Sequence, residues 1–172
     1  MEDSNVTKTR QIIASNRYLS LATCRSNEVW VAPVAYVVDA DYNFYFCSAI
    51  DSIHIQHLKS NLRVAFAIFD STLSSDDADG VQILALAGQV EDADLSRVMD
   101  LYWKLLFPDP QARAKWALPA EHFRGDSIQR FFQLSPIEIY KLDTTLIEVD
   151  RRVQINLKDL KRKPVSAILS NG

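Results

Sequence analysis

One short stretch of the chain combines hydroxyl and imidazole side chains at a spacing suited to holding an anion. It lies between residues 44 and 64, where an aromatic segment gives way to small residues and then to a helical pattern. Ser52 is the predicted N-cap of that helix, Ser48 adds a second hydroxyl, and His54 follows two residues later. Because the first turn of a helix carries unpaired N–H groups and partial positive charge, we predict a small phosphate pocket here.

The same residues have a plainer interpretation. A serine-capped helix with two solvent-facing histidines, His54 and His57, would show the same pattern, because serine is a common N-cap residue. The two histidines also have the i and i+3 spacing that a metal or heme ligand pair would use. The loop at residues 70–80 is acidic but lacks the glycine and glutamate positions of an EF-hand, so we predict no metal site there.

Mainly antiparallel strands are predicted to position these residues. The first three strands would form a meander, and Gly88 would mark a bulge or a close backbone approach in a later strand. Such a pattern favours a small barrel or sandwich with inserted helices. Strands are predicted at residues 18–23, 29–38, 44–47, 63–69, 81–90 and 136–142. Helices are predicted at 4–15, at 52–60 and, with Asp94 as N-cap, at 94–107, while 115–123 is a helix or turn region and 127–134 suits either a strand or a helix.

Size, composition and charge place the chain among soluble globular proteins. It has 172 residues, 48% of them hydrophobic, and predicts one domain over residues 1–172. Residues 143–172 would add a possible strand, at 146–157, and a basic tail at 158–163. The net charge of −3 argues against a general nucleic-acid binder. Without a long apolar run or a signal-like start, we expect no membrane span and a cytoplasmic location.

Four motifs, taken together, carry a resemblance to a known family. They are RYLSLAT at residues 17–23, WVAPVAY at 30–36, FYFCS with SIH between 44 and 54, and NLRVA at 61–65. In this order and spacing the chain resembles the pyridoxamine 5′-phosphate oxidase-like family of FMN-binding split β-barrels. The resemblance implies a mainly β fold, a six-stranded antiparallel Greek-key split β-barrel, and a homodimer with FMN at the subunit interface. A partner subunit would cover the strand at 29–38, which is apolar on both faces.

The resemblance also implies roles for individual residues. The hydroxyls of Ser48 and Ser52 and the ring of His54 would hold the FMN phosphate, and residues 33–36 would lie against the flavin ring. No residue stands out as a catalytic acid, base or nucleophile, and no metal ligand is predicted. The predicted cofactor-binding residues are Pro33, Val34, Ala35, Tyr36, Cys47, Ser48, Ser52, His54 and Gln82.

The chain also departs from the family pattern at functional positions. Ile53 occupies the first of two basic positions after Ser52, and the strand at 32–37 lacks the Arg and Lys of the pyridoxine-pathway oxidases. Their C-terminal Arg-and-His substrate motif has no counterpart in residues 157–172. We therefore expect an FMN-dependent oxidoreductase acting on a small molecule or a reduced nicotinamide. The alternatives are a flavin, deazaflavin F420 or heme carrier or sensor without turnover, and a cofactor-free dimeric module.

Overall fold

A computed structural model of the protein describes residues 3–74, 77–143 and 151–162. In these ranges one antiparallel sheet is flanked by short helices, none of which is long and apolar enough to cross a membrane. The strands are β1 Tyr18–Arg25, β2 Glu28–Ala35, β3 Val37–Val38, β4 Phe44–Ala49, β5 Arg63–Phe69, β6 Gly80–Gln89, β7 Gln129–Leu142 and β8 Arg152–Ile155. The helices are α1 Ser4–Ser15, α2 Ile53–Leu58, α3 Asp92–Leu106, α4 Pro110–Trp116 and α5 Leu157–Lys161, with a 3₁₀ turn at Ala120–Phe123.

The order of the strands requires the sheet to curl. Along the sheet the order is β2, β1, β5, β6, β7, β4, β3, and β8 adds to the far end of β7. Strands β2 and β3 therefore stand at opposite edges, yet only Tyr36 separates them in the chain. The sheet must bend until its two edges approach each other. This confirms the predicted class, a mainly antiparallel β-barrel with inserted helices.

The strand count and the predicted meander need correction. The resemblance implied six strands, but the described residues contain eight, because the predicted strand at 29–38 divides at Tyr36 and β8 is added. The meander is confirmed only in part, because β4 pairs with β3, the end of the predicted strand at 29–38, and with β7, but not with β2. Tyr36, whose ring is buried against Phe44, is the residue at which the chain passes from β2 at one edge of the sheet to β3 at the other.

Two ambiguous regions become one long strand. Residues 127–134 and 136–142, which the sequence separates, belong largely to β7. The register between β6 and β7 shifts at Leu84 and Ala85, opposite Pro136, rather than at Gly88 as predicted. Proline has no N–H to complete a ladder, so an irregularity beside Pro136 follows from its chemistry.

The helices differ from the predictions mainly at their ends. Helix α3 begins at Asp92 after the N-cap Glu91, which places Asp94 in its first turn instead of at its cap. The region at 115–123, predicted as a helix or turn, contains the end of α4 and the 3₁₀ turn.

The predicted basic tail is a docked element over its described part. Helix α5 buries Leu160, and its backbone carbonyls at Leu160 and Asp159 accept hydrogen bonds from the buried guanidinium of Arg10 in α1. Of the predicted strand at 146–157, β8 accounts for the described part, while residues 144–150 and 163–172 lie outside the described residues.

Two hydrophobic clusters hold β4 from both sides. Phe44 and Phe46 point into the barrel interior, whereas Tyr45 faces outward into a second cluster built on α3. There Tyr102 meets the ring of Phe131 at a centroid distance of 5.0 Å. Since side chains alternate along a strand, Ser48 continues the inward-facing set at the end of β4. The end of this strand is therefore fixed on both faces where the candidate site begins.

Candidate functional site

The turn from β4 into α2 brings three polar side chains together. His54 Nε2 lies 2.9 Å from Ser48 Oγ and 3.3 Å from Ser52 Oγ, and the two hydroxyl oxygens are 3.3 Å apart. We call Ser48, Ser52 and His54 the junction cluster. The cluster joins the three residues that the sequence analysis selected for a phosphate pocket.

Side chains, rather than the helix end, dominate this site. Ser52 occupies the N-cap position as predicted, but its hydroxyl donates to the carbonyl of Ala49 at 2.8 Å and does not cap the helix. Helix α2 has only six residues, so its dipole is short. Any anion bound here therefore depends on the hydroxyls and the imidazole of the junction cluster.

The ring of His54 sits in an environment that disfavours its charged form. It is 8% exposed and packs against the ring of Phe46, with a centroid distance of 6.2 Å. Burial lowers the pKa of His54 below its ordinary value, and the nearby His57 lowers it further. Without a ligand, the junction cluster is therefore a set of neutral hydrogen-bonding groups at neutral pH.

The second histidine serves a different partner. His57 is 2% exposed, and its Nδ1 lies 3.1 Å from the hydroxyl of Thr23 on β1. The rings of His54 and His57 are thus engaged separately, one with the two serines and one with Thr23. Over the described ranges, no three or more His, Cys, Asp or Glu side chains are placed to hold a metal ion.

Sequence reasoning missed a cation next to the junction cluster. Strand β7 pairs with β4 so that Arg130 lies opposite Ser48. Its guanidinium donates to the backbone carbonyls of Gly125, Ser127 and Gln129. Arg130 also lines a cavity of about 430 Å³ beside α2, together with Lys59. Only the register between two distant strands could have placed Arg130 here.

The four residues predicted to contact a flavin ring divide between two faces. Pro33 is exposed and Ala35 half-buried on the outer face of β2, whereas Val34 points into the barrel core. Tyr36 is buried against Phe44, with ring centroids 5.5 Å apart, and its hydroxyl donates to the carbonyl of Ile13 at 2.7 Å. From the outer face, a planar ligand would meet the side chains of Pro33 and Ala35.

Cys47 lies apart from the junction cluster. It points to the opposite face of β4, towards α3, and its thiol donates to Gln129 Oε1 at 3.4 Å. Burial raises the pKa of Cys47 to about 12, so it is a thiol and not a nucleophilic thiolate at neutral pH.

Gln82 also lies apart, on the outer face of the sheet, where it accepts a hydrogen bond of 3.0 Å from Arg152 Nε. It pairs with Tyr140, whereas Ser48 pairs with Arg130. Those two positions of β7 are ten residues apart, which is roughly 33 Å of extended strand. Gln82 therefore belongs to a different region of the same subunit.

The curled antiparallel sheet, with a polar cluster where a strand meets an inserted helix, defines a split-barrel protein with a candidate anion site. Residues 6–141 match the family model described as pyridoxamine 5′-phosphate oxidase. The chain belongs to the pyridoxamine 5′-phosphate oxidase-like family. No curated protein sequence matches the chain at a significant level.

Solved structures share the fold at low sequence identity. A heme-binding protein from Mycobacterium smegmatis superposes with a TM-score of 0.69 at 16% identity, over 94% of this chain and 62% of that one. An FAD-binding protein from Mesorhizobium loti gives a TM-score of 0.59 at 17% identity, over 78% and 91%. General Stress Protein 26 from Bacillus anthracis gives 0.60 at 20% identity, over 87% and 98%. At these identities the likeness establishes the fold alone.

Proposed function

We propose that the protein binds FMN and acts as a flavin-dependent oxidoreductase, with the cofactor phosphate held by the junction cluster. The observation that supports this is the convergence of Ser48 Oγ, Ser52 Oγ and His54 Nε2 within 3.3 Å of one another. Their order along the chain is the order in which the family presents its phosphate-binding residues. A phosphate monoester would replace their weak mutual hydrogen bonds with charge-assisted ones.

The donor set fits a phosphate group in chemistry, although it lacks a fixed charge. The Ser48 hydroxyl and the His54 imidazole can donate to phosphate oxygens, Ser52 could do so by turning its proton away from the carbonyl of Ala49, and a bound dianion would favour protonated His54. Arg130 carries a permanent positive charge and pairs with Ser48 of the junction cluster in the β4–β7 ladder. When bound, FMN would supply the electron-transfer chemistry, and the protein would supply binding and orientation.

A second copy of the chain is part of this proposal. The outer face of β1 and β2 exposes large apolar side chains, with Tyr18 63%, Val29 78% and Val31 61% exposed. A shallow groove of about 420 Å³ continues this face across β5 and β6 and includes Gln82. Exposed apolar patches of this kind mark association surfaces. A homodimer through this face would place Gln82 and Pro33 at the subunit boundary.

The reductant or substrate would be a small organic molecule or a reduced nicotinamide. Burial keeps the Cys47 thiol protonated, and the hydroxyl of Tyr36 is committed to the carbonyl of Ile13. These two groups are therefore unsuited to proton transfer or nucleophilic attack, which is consistent with redox chemistry carried by a cofactor.

Heme is the competing ligand, because the fold is shared with a protein described as heme-binding. An axial histidine would have to leave its present partner, the serine pair for His54 or Thr23 for His57. Each exchange has an energetic cost, since it breaks the 2.9 Å hydrogen bond between His54 and Ser48 or the 3.1 Å hydrogen bond between His57 and the buried Thr23. For this reason we favour the flavin.

Parallel titrations of the purified protein with FMN and riboflavin, read by flavin fluorescence and beside a size-exclusion mass, test the proposal. We expect one FMN per subunit of a dimer and clearly weaker binding of riboflavin, which lacks the phosphate. Equal affinity for FMN and riboflavin would contradict the proposal that the junction cluster binds the phosphate. A Soret band in the purified protein would identify heme as the cofactor instead of FMN. An F420 spectrum without FMN uptake would identify the deazaflavin.

A further inference from the structure

A second cavity lies away from the junction cluster, under the ends of two helices. It has a volume of about 450 Å³ and lies between the end of α1, the β2–β3 link, the end of α3 and α4. This volume is within the range of roughly 300–1,000 Å³ that is usual for small-molecule sites. We call it the cationic pocket, for the reasons given below.

The walls of the cationic pocket are largely apolar. Tyr36 and Val37 form one side, and Leu105 and Leu106 at the end of α3 form the other. The hydroxyl of Tyr36 is engaged with the carbonyl of Ile13, so this residue lines the pocket without a spare donor. A ligand with a hydrocarbon or aromatic body would displace water from these walls.

Among the described residues, three cations and no carboxylates line the same pocket. Arg17 and Lys104 are exposed, and neither forms an ion pair within the described ranges of the chain. Arg113 is half-buried, and its guanidinium is held by the carbonyls of Phe107 and Pro108 at 3.0 and 2.9 Å. Arg113 is thus fixed in place, while Arg17 and Lys104 are available to an anion.

Helix ends account for only part of this charge. Two helices, α1 and α3, terminate at the pocket, and each C-terminus contributes about half a negative charge. Lys104 in the last turn of α3 therefore has a structural role as well. Three cations still leave about two positive charges in excess. An apolar cavity with such an excess is complementary to a ligand that has one apolar and one anionic end.

We propose that the cationic pocket binds an amphipathic organic anion, with its hydrocarbon or aromatic body against Tyr36, Leu105 and Leu106 and its carboxylate or equivalent group at Arg17 and Lys104. The site is separate from the junction cluster, and its occupation does not require a flavin. Arg113, held by the carbonyls of Phe107 and Pro108, would act as a fixed positive charge in the wall of the pocket.

The test uses 4-phenylbutyrate and its uncharged analogue 4-phenylbutan-1-ol as probes of the flavin-free, full-length protein. Isothermal titration calorimetry should show the acid binding about tenfold more tightly than the alcohol, as expected for a charge-assisted contact. The double variant Arg17→Gln/Lys104→Gln should bind both compounds equally. The matched variant Arg63→Gln/Lys158→Gln, which loses the same charge elsewhere on the surface, should keep the preference.

Several outcomes would overturn the proposal. These are equal affinity for acid and alcohol in the unmodified protein, an equal loss in both double variants, or no binding of either compound at about 1 mM. Circular dichroism of each variant verifies folding, which exposed positions should not disturb. Because the probes are titrated without flavin, and His54→Ala should leave the acid affinity unchanged, a failure of FMN binding is distinguishable from a failure here.

Discussion

The junction cluster and the cationic pocket are two solutions to holding an anion on one small barrel. The junction cluster offers hydroxyls and a buried imidazole with no fixed charge of its own. The cationic pocket offers permanent charges, two of them exposed, above apolar walls. Because of this difference, we expect anion binding at the junction cluster to depend on hydrogen-bond geometry and on pH. We expect anion binding in the cationic pocket to depend on the number of cationic side chains and on the salt concentration.

The largest expected effect separates the two sites by mutation. Ser52→Ala/His54→Ala removes two donors from the junction cluster, each worth about 1–1.5 kcal/mol, so FMN affinity should fall on the order of 100-fold. Affinity for 4-phenylbutyrate in the cationic pocket should not change. Fluorescence titration measures the FMN affinity, and calorimetry measures the 4-phenylbutyrate affinity.

The control for this variant is Ser60→Ala/His122→Ala, which replaces the same residue types at exposed positions. It should retain both affinities. If the junction variant bound FMN as tightly as the unmodified protein, the phosphate would have to lie elsewhere.

A fixed charge introduced at the junction should make the two sites more alike. Ile53 is 46% exposed and directly follows Ser52, so Ile53→Arg can be accommodated without repacking the core. A guanidinium beside the phosphate should raise FMN affinity about tenfold and leave riboflavin affinity unchanged. Ile53→Gln, which is polar but uncharged, is the matched variant. A similar gain in Ile53→Gln would attribute the effect to polarity instead of charge.

The pH dependence of stability should differ between the two sites. The folded-state pKa of His54 lies below its ordinary value, so the unfolded chain binds the proton more readily. Stability in the absence of flavin should therefore decline as the pH falls through about 6.5, the ordinary value for histidine. Among the described residues, no histidine or carboxylate lines the cationic pocket.

Urea unfolding of the unmodified protein and His54→Gln between pH 8 and pH 5.5 measures this difference. The variant should lose less stability on acidification. An identical decline in both proteins would assign the proton uptake to other groups.

Salt should give the smallest contrast. Raising the ionic strength from about 0.05 to 0.5 M screens exposed charges, so 4-phenylbutyrate affinity at Arg17 and Lys104 should fall about two- to threefold. FMN affinity at the partly buried junction cluster should change less. Calorimetry in sodium chloride, with 4-phenylbutan-1-ol as the uncharged reference, provides the comparison. If salt weakened FMN binding more than 4-phenylbutyrate binding, the conclusion that exposed charge dominates the cationic pocket and not the junction cluster would be wrong.

Local sequence determines much of what could be predicted. Ser48, Ser52 and His54 lie within seven consecutive residues, so a strand followed by a helix was enough to bring them together. The choice of a barrel or sandwich followed from short strands separated by polar turns, a pattern that depends only on residues close together in the chain. The bounds of α1 and β5 also agree with the sequence prediction.

Contacts between distant segments could not be predicted in this way. Arg130 lies opposite Ser48 because of the register between β4 and β7, which local sequence does not specify. Lys141, which shares a face with Ile139, is fully buried and ion-paired with Asp79 at 2.6 Å. A buried lysine requires such a partner, but periodicity does not say which acid provides it. The division of residues 29–38 at Tyr36 likewise depends on Ile13 and Phe44, which lie in other elements.

The pairing of β4 has a consequence for synthesis on the ribosome. Phe44 meets Leu134, so β4 has only the two-residue β3 as a ladder partner until some ninety further residues have been translated. The nascent N-terminal half therefore exposes an aromatic strand edge, the kind of surface that chaperones protect. Ser48 and Arg130 become cross-strand neighbours only once β7 has emerged, so the permanent charge beside the junction cluster arrives long after the cluster itself has been translated.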